Sequence, residues 1–287
     1  MPCYHPLKGW RSRTKSRNGK RPIVFSRKDG FRDMPVTIPC GQCIGCRLER
    51  SRQWAIRCLH EAQMHENNCF ITLTYAPEHL PVDRSLDVRH FQLFMKRVRK
   101  RFGAGIRFFH CGEYGEVHKR PHYHACLFGL DFDDKKLWKY SNGQPLFVSE
   151  SLSELWPFGF STIGEVTFES AAYVARYILK KVTGEAAQDH YQFIDEETGE
   201  VHVLKPEYTT MSRRPGLGAG WLDKFGDDVF PNDEVVIRGR KMKPPKYYDR
   251  CYEFNDPSGW VEIRRKRLQK AQAHSSNNTP ERLRTRE

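Results

Sequence analysis

The sequence predicts a fold that mixes strands and helices and that is preceded by a cysteine-rich knuckle. Apolar segments with strand and helix patterns follow one another in the middle of the chain in the order strand, helix, strand, strand. Three cysteines fall within residues 40–46 as C-x-x-C-x-x-C, a pattern that is typical of a metal site in a reducing compartment. With 287 residues, 38% of them hydrophobic, the chain can form one large domain or two modest ones.

The first half of the chain divides into recognisable segments. Residues 1–38 are basic and rich in Gly and Pro, and the run 11–17 is predicted as a loop or arm. A helix is predicted over residues 47–66, directly after the knuckle. Residues 69–75 are rich in β-formers and are predicted as a buried strand that stops at Pro77.

A second helix and two further strands follow. Asp87 is a good N-cap for a helix that runs to about Arg101. Its predicted buried face consists of Val88, Phe91, Met95 and Val98. Residues 106–111 and 122–128 are apolar and are predicted as two strands joined by a polar loop.

The remaining pattern is weaker. A strand is predicted over residues 160–166 and a helix over 169–182, which contains Tyr173 and Tyr177. Residues 262–287 begin as a basic helix and end in a polar segment that is predicted to be disordered.

The charge balance favours an anionic partner. Lys and Arg total 48 against 35 Asp and Glu, a formal net charge of +13, which makes nucleic acid the first candidate. The sequence has no run of 18 apolar residues and no apolar stretch at its start that resembles a signal peptide. We therefore expect no membrane contact and an intracellular location.

Two histidines form the first candidate site. On a strand His122 and His124 point to the same side, so that their imidazoles can hold a divalent metal ion. Glu113, at the end of the preceding strand, can add an oxygen ligand, and such a mixed site suits Mg²⁺ or Mn²⁺. The alternative third ligands are Glu116, His110 and His118.

Two tyrosines form the second candidate site. Tyr173 and Tyr177 are four residues apart, so that on a helix their hydroxyls reach the same region. Lys181 lies four residues further and can stabilise a phenolate or a phosphate on that side. Tyrosines at this spacing also occur as ordinary core or interface residues. Because no phosphate-binding loop is present, the chemistry has to proceed without nucleotide hydrolysis by this chain.

The cysteine cluster forms the third candidate site. It offers the thiolates of Cys40, Cys43 and Cys46. Cys3 can complete a tetrahedral structural zinc site, while Cys58 or His5 would serve equally well as the fourth ligand. An iron–sulfur cluster is the alternative metal group.

Five motifs together resemble a known family. They are CGQCIGCR at residues 40–47, FITLTY at 70–75, GEYG at 112–115, RPHYH at 120–124 and YVARY at 173–177. In this order they resemble the HUH endonucleases, and within them the replication initiation proteins of microviruses of the gokushovirus type. The resemblance implies an α+β fold with a central antiparallel sheet flanked by helices. It also implies that His122, His124 and Glu113 bind the metal ion and that Tyr173 and Tyr177 alternate as nucleophiles.

The predicted domain organisation has four parts. Residues 1–66 form a basic N-terminal segment with the cysteine knuckle and a helix, and residues 67–185 form the catalytic core. Residues 186–261 form an extension packed on that core, and residues 262–287 form a basic, partly disordered tail.

The implied activity is the initiation of rolling-circle DNA replication in the cytoplasm of a bacterial host. The protein would nick single-stranded or melted origin DNA through a 5′-phosphotyrosine, work with a host helicase and DNA polymerase, and later close the displaced strand into a circle. The alternatives are a tyrosine transposase or relaxase of the same superfamily and a non-catalytic, zinc-stabilised DNA-binding protein.

Overall fold

The fold is of the predicted α+β class, with a large antiparallel sheet flanked by helices. It was obtained as a computed structural model, in which the side chains of Tyr177 and Ala186 are not described. The residues that the structure describes are 3–17, 19–115, 118–177, 182, 186–194 and 199–273. None of the helices in these ranges is both long and apolar enough to cross a membrane.

The elements are numbered in chain order. The strands are β1 (Leu7–Ser12), β2 (Ile23–Val24), β3 (Gly30–Ile38), β4 (Asn68–Thr74), β5 (Arg107–Tyr114), β6 (Pro121–Phe128), β7 (Lys136–Ser141), β8 (Gln144–Val148), β9 (Ser161–Gly164), β10 (Gln192–Ile194), β11 (Val201–Val203), β12 (Tyr208–Met211), β13 (Val235–Ile237) and β14 (Arg240–Met242). The helices are α1 (Ile44–Ala62), α2 (Val88–Phe102), α3 (Glu150–Leu155), α4 (Phe168–Tyr177), α5 (Ala186–His190), α6 (Ala219–Val229), α7 (Lys246–Asn255) and α8 (Pro257–Ala273), with a 3₁₀ turn at Pro77–His79.

The chain forms two compact units. The first combines the chain before Ser51 with the chain after Trp260, and the second is Ser51–Trp260. The predicted domain boundaries differ from this division and remain predictions. In the first unit, β1 pairs with both β2 and β3 in a small antiparallel sheet. The prediction of a loop over residues 11–17 is therefore wrong for Arg11 and Ser12, which belong to β1.

The second unit is built on a seven-stranded sheet in the order β12-β5-β6-β4-β9-β8-β7, and every adjacent pair is antiparallel. One face carries the larger hydrophobic core, in which alternate residues of β4 and β6 pack against α2 and α3. Tyr123 is the residue between the two predicted metal ligands in the sequence, and its side chain is fully buried in this core. Side chains on this face are therefore turned away from the histidine pair.

Helix α2 begins as predicted and buries a slightly different face. The Asp87 side chain caps it by accepting the N–H of Arg89 at 2.8 Å. Phe94 is buried together with Phe91, Met95 and Val98, whereas Val88 is 39% exposed. The prediction that Val88 is buried was wrong, because the first residue of the helix lies beyond the edge of the core.

The opposite face of the sheet is covered by α4 and by the part of α1 that follows residue 50. Small side chains of α4, Ala171 and Ala175, are fully buried against Cys111 of β5 and Cys126 of β6. Ser51 in α1 donates a hydrogen bond to the carbonyl oxygen of Ala172 at 2.9 Å. The close approach that alanines allow brings the backbone of α4 down onto the ends of β5 and β6.

The segment after β12 is tied to α1 by polar contacts as well as by packing. The carboxylate of Glu61 accepts the N–H of Gly218 at 2.6 Å and pairs with Arg107 of β5. The guanidinium of Arg57 donates to the carbonyl oxygen of Leu217 at 2.9 Å. Because Glu61 and Arg107 are largely buried, each stabilises the other's charge away from water.

Gly218 provides a test of this junction. Its φ is +77°, and an added Cβ would lie 2.4 Å from the hydroxyl of Tyr248. We expect Gly218→Ala to lower the free energy of unfolding by about 1–3 kcal/mol, which urea denaturation would measure. The matched control is Gly220→Ala in α6, where an added Cβ has no heavy atom within 4 Å and a small gain in stability is expected. Equal effects of the two substitutions would contradict this account.

Candidate active site

Three potential metal ligands meet on the face of the sheet that α4 covers. Strands β5 and β6 are antiparallel, with Glu113 directly opposite His122 and Cys111 opposite His124. Since side chains alternate along a strand, Glu113, His122 and His124 all project from this one face. The structure therefore brings together three of the residues that the sequence singles out.

The three side chains converge on one oxygen atom. The Oε1 atom of Glu113 lies 2.7 Å from Nε2 of His122 and 2.7 Å from Nε2 of His124. Glu113 is 2% exposed and His124 is 6% exposed, so the cluster is largely removed from water. One ligand atom from each residue lies within 4.8 Å of the others, which is close enough for a single ion to contact all three.

The backs of the two imidazole rings are held by hydrogen bonds. Nδ1 of His122 lies 3.1 Å from the carbonyl oxygen of Arg120. A carbonyl oxygen only accepts, so Nδ1 of His122 donates this hydrogen bond, and Nε2 is the ring nitrogen that faces Glu113. Nδ1 of His124 lies 2.9 Å from Oγ1 of Thr72 in β4, and Phe70 stacks on the same ring. Such outer partners orient the ligand nitrogens of metal sites.

Electrostatics favour a cation at this point. Burial raises the pKa of Glu113, but the hydrogen bonds with His122 and His124 outweigh it, and the pKa is lowered overall. Burial lowers the pKa of His124, which favours the neutral ring that a metal ion requires. The second carboxylate oxygen, Oε2 of Glu113, is buried without a hydrogen-bond partner in the described structure. A carboxylate and two imidazole lone pairs at this spacing repel one another unless a proton or a metal ion lies between them.

Tyr173 lies directly over this cluster. Its hydroxyl donates a hydrogen bond to Oε1 of Glu113 at 3.2 Å, and its ring meets that of His124 edge to face, with the centroids 5.1 Å apart. The guanidinium of Arg176, one turn further along α4, lies 6.0 Å from the centre of the Tyr173 ring. A phenolic hydroxyl, a cluster of potential metal ligands and a positive side chain therefore occupy one site.

The other predicted catalytic residues are only partly described. Tyr177 is the last residue of α4, one turn beyond Tyr173, and its side chain is not described. Lys181 lies outside the described residues. Their predicted roles rest on the sequence.

The two alternative third ligands that the structure describes lie outside the cluster. His110 is fully buried on the opposite face of the sheet, where its ring stacks on Phe91 at 3.4 Å and bonds to Oγ1 of Thr210. His118 is exposed in the loop between β5 and β6 and is not part of the cluster, and Glu116 lies outside the described residues.

The cysteine cluster forms a second candidate metal centre in the first unit. Sγ of Cys3 lies 3.6 Å from Sγ of Cys40 and 3.9 Å from Sγ of Cys43, and Cys46 completes the group. Four sulfurs around a zinc ion at about 2.3 Å would lie about 3.8 Å apart. Of the possible fourth ligands, the structure places Cys3 here, whereas Cys58 is fully buried in the hydrophobic core.

Backbone amides favour the thiolate at one of these cysteines, Cys43, whereas burial raises the pKa of Cys3 and raises that of Cys46 to about 12. The N–H groups of Tyr4 and Cys40 donate to Sγ of Cys43 and of Cys3, at 3.3 and 3.2 Å. Burial raises the pKa of the Cys43 thiol, but hydrogen bonds from the backbone N–H groups of Cys46 and Tyr4 outweigh this effect. The pKa is lowered to about 6. A thiolate is the form that binds a metal ion.

Thr72 is a contributor that sequence reasoning did not identify. Its signal is present in the sequence, since Thr72 and Thr74 alternate with the apolar residues of β4 and so mark a polar side of that strand. We expect Thr72→Val, which preserves shape but removes the partner of His124, to weaken Mn²⁺ binding by about 10- to 100-fold. Electron paramagnetic resonance of free Mn²⁺ during titration would measure this.

The matched control for Thr72 is Thr162→Val. Thr162 lies opposite Thr72 on the neighbouring strand β9 and on the same face of the sheet. It makes no contact with either histidine among the described hydrogen bonds, so Mn²⁺ affinity should be unchanged. An unchanged affinity in Thr72→Val as well would show that Thr72 does not orient His124.

The sequence matches a protein family over the region that forms this site. The family model described as "Replication-associated protein ORF2/G2P" matches residues 68–182, a range that includes Glu113, both histidines and both tyrosines. No solved structure matches the chain.

Three curated relatives extend the match to most of the chain. Replication-associated protein VP4 of Bdellovibrio phage phiMH2K is 35% identical over 273 residues, which cover 91% of this chain and 80% of the relative. Replication-associated protein ORF2 of Spiroplasma virus 4 is 35% identical, with 76% and 68% covered. Replication-associated protein ORF4 of Chlamydia phage 1 is 37% identical, with 77% and 55% covered. The chain therefore belongs to the family of phage replication-associated proteins, and its predicted membership of the microvirus type of replication initiator is confirmed.

Proposed function

We propose that the protein initiates rolling-circle replication by nicking origin DNA through a tyrosine, as an HUH endonuclease and strand transferase. The observation that best supports this is the hydrogen bond from the Tyr173 hydroxyl to Glu113, whose same oxygen lies 2.7 Å from both histidines. This contact supports the proposal because phosphoryl transfer by a tyrosine depends on a hydroxyl positioned beside a group that stabilises the phosphate charge.

In the first step the Tyr173 oxygen attacks the scissile phosphorus. The bond from phosphorus to the 3′ oxygen breaks, the tyrosine loses its proton, and the leaving 3′ oxygen gains one. The product is a 5′-phosphotyrosine and a free 3′-hydroxyl, so the phosphodiester energy is conserved without nucleotide hydrolysis. Arg176, beside the Tyr173 ring, supplies positive charge near the phosphate.

The donor set fits Mg²⁺ or Mn²⁺. Glu113 offers a hard carboxylate, with its second oxygen buried and unpartnered in the described structure, and His122 and His124 offer neutral nitrogens. When bound there, the cation would supply charge stabilisation for the phosphate oxygens. The three side chains would hold it, while Thr72 and the Arg120 carbonyl orient the rings.

The second tyrosine completes the cycle in this proposal. Tyr177 follows Tyr173 by one helical turn, and residues four apart on a helix are neighbours. After a host polymerase and helicase have copied the circle, Tyr177 would cut the regenerated origin. The 3′-hydroxyl that this cut releases would attack the first phosphotyrosine and close the displaced strand.

The substrate and setting follow from family and charge. The relatives are replication-associated proteins of phages, and the net charge of +13 suits a nucleic acid partner. We propose single-stranded or locally melted origin DNA as substrate and the inside of the bacterial host as the place of action. This assignment is preferred to a transposase or relaxase because each curated relative is named for replication.

Tyrosine replacement tests the chemistry. Single-stranded fragments that tile the phage genome encoding this chain are incubated with the protein and Mn²⁺, and adducts that resist denaturant are separated by electrophoresis. Combined Tyr173→Phe and Tyr177→Phe should reduce adducts at least about 1000-fold while DNA affinity is retained. Either single replacement should permit cleavage and impair circle closure.

The control in this assay is Tyr140→Phe, because Tyr140 is 66% exposed on β7, away from the cluster. It should form adducts at the normal level. Chelator present from the start should prevent adduct formation in every variant. Adducts that persist in the double tyrosine variant would overturn the proposal, and normal closure in a single variant would overturn the alternating role.

We also propose that Cys3, Cys40, Cys43 and Cys46 hold a structural zinc ion. Elemental analysis of the purified protein should find one zinc per chain. Cys43→Ser should lose it together with stability, since structural zinc contributes folding free energy. Cys58→Ala should keep its zinc because that thiol is buried in the core. Retention of zinc by Cys43→Ser would exclude this ligand set.

A further inference from the structure

Two large aromatic side chains are exposed together near one edge of the sheet. Trp138 in β7 is 45% exposed and Phe160, just before β9, is 47% exposed. Their rings meet edge to face with centroids 4.8 Å apart, and Nζ of Lys139 lies 4.1 Å from the centre of the Trp138 ring. Two exposed aromatic rings in contact, one of them with a cation over it, are unusual on a surface that serves only solubility.

Phe160 lies on the same face of the sheet as the metal-binding cluster. In β4, Thr74 lies opposite His122, and the carbonyl oxygen of Phe160 accepts the N–H of Thr74 at 2.9 Å. This extends the register in which Thr72 of β4 pairs with Thr162 of β9. Residues that pair directly across antiparallel strands project to the same side. His122, Thr74 and Phe160 therefore form one row across the sheet.

A register shift in β7 adds Trp138 and Lys139 to this face. Leu137 pairs with Phe147, and Phe147 pairs in turn with Ile163 of β9. Ile163 lies in the core, so these three side chains project to the core side of the sheet. The register then shifts, and Lys139 pairs with Leu146 on the opposite side. A bulge of this kind turns two adjacent side chains to one side. The contact of Trp138 with Phe160 is consistent with that arrangement.

The row runs outward from the candidate active site. Two strand spacings of about 4.8 Å separate β6 from β9, so Phe160 lies about 10 Å from His122 along the sheet. The residue between them, Thr74, is small and polar. A strand of DNA whose scissile phosphate lay at the cluster would have its neighbouring bases within reach of the aromatic pair.

We propose that Trp138, Phe160 and Lys139 form a stacking platform for bases of single-stranded DNA that flank the scissile phosphate. The position of the cleaved phosphate in this inference rests on the proposed function. The affinity of the platform for DNA does not depend on that function. Aromatic rings bind unpaired bases because each base has a π face, and the ammonium group of Lys139 suits the adjoining phosphate. The platform is thus a site for unpaired DNA, since bases within a duplex are already stacked.

A basic groove lies at the opposite end of β5, and it lacks the combination of two aromatic rings and a cation. Arg213 and Arg214 line a cavity of about 620 Å³ together with Arg107, the first residue of β5. Six residues separate Arg107 from Glu113, or about 20 Å along the strand. Charge at that distance can attract DNA, but it offers no paired aromatic surface beside the scissile phosphate.

A binding assay in chelator tests the platform without cleavage. Fluorescence anisotropy would compare a short oligothymidylate with an abasic oligonucleotide of the same length, which has the same phosphates but no bases. Combined Trp138→Ala and Phe160→Ala should weaken oligothymidylate binding about 5- to 100-fold and leave abasic binding nearly unchanged. Lys139→Ala should reduce the slope of log affinity against log salt concentration by about one for both oligonucleotides.

The matched control is Tyr140→Ala. Tyr140 is a neighbouring exposed aromatic on β7 that pairs with Pro145, beyond the register shift and so on the other side of the sheet. It should bind both oligonucleotides like the unaltered protein. Thermal unfolding should be similar for all variants, because the replaced side chains are about half exposed.

The outcomes separate this inference from the proposed function. If the aromatic variant binds oligothymidylate as tightly as the unaltered protein, the platform is wrong and the patch contacts a protein instead, even where nicking is observed. A loss confined to base-bearing DNA supports the platform, and it does so even if no fragment is ever nicked. Equal losses for abasic and base-bearing DNA would also overturn stacking, because they would show a general defect in phosphate binding.

Discussion

The antiparallel register between β5 and β6 is the constraint on which the candidate active site depends. It places Glu113 opposite His122 and puts both histidines on the side of the sheet where Glu113 projects. A shift of one residue in either strand would turn that strand's side chains to the other face, so the register is maintained by the whole hydrophobic pattern of the sheet. Tyr123 lies between the two histidines in sequence and is buried in the core on the other face of the sheet. Such a shift would turn its side chain out of that core.

Helix α4 brings Tyr173, the proposed nucleophile, to the cluster through close packing. Ala171, Val174 and Ala175 are fully buried against β5 and β6, so the helix axis can approach the sheet more closely than larger side chains would permit. At that distance the hydroxyl of Tyr173 reaches the Glu113 carboxylate while the tyrosine remains partly accessible. The same interactions that stabilise the core therefore position the Tyr173 hydroxyl beside Glu113.

The two faces of the sheet have different roles. One is sealed by α2 and α3 over a continuous hydrophobic core, and there a histidine such as His110 serves packing. The other is covered by α4 and by the part of α1 that follows residue 50, and it carries both the cluster of potential metal ligands and the proposed aromatic platform. In our proposal one extended nucleic acid strand contacts both, because they share a row of paired residues.

Much of this was determined by the sequence alone. The mixture of strands and helices, the helix that Asp87 caps, the helix that contains Tyr173, and the common side of His122 and His124 follow from local periodicity, which depends only on neighbouring residues. The antiparallel sheet of the α+β class was implied by the family resemblance. Periodicity failed for β1, whose residues lack a clear alternation. Only the tertiary structure decided that Glu113 rather than His110 joins the histidines, that Thr72 supports His124 and that Cys3 rather than Cys58 joins the cysteine cluster. These are contacts between residues distant in sequence, and they depend on strand register and packing, which no local pattern specifies.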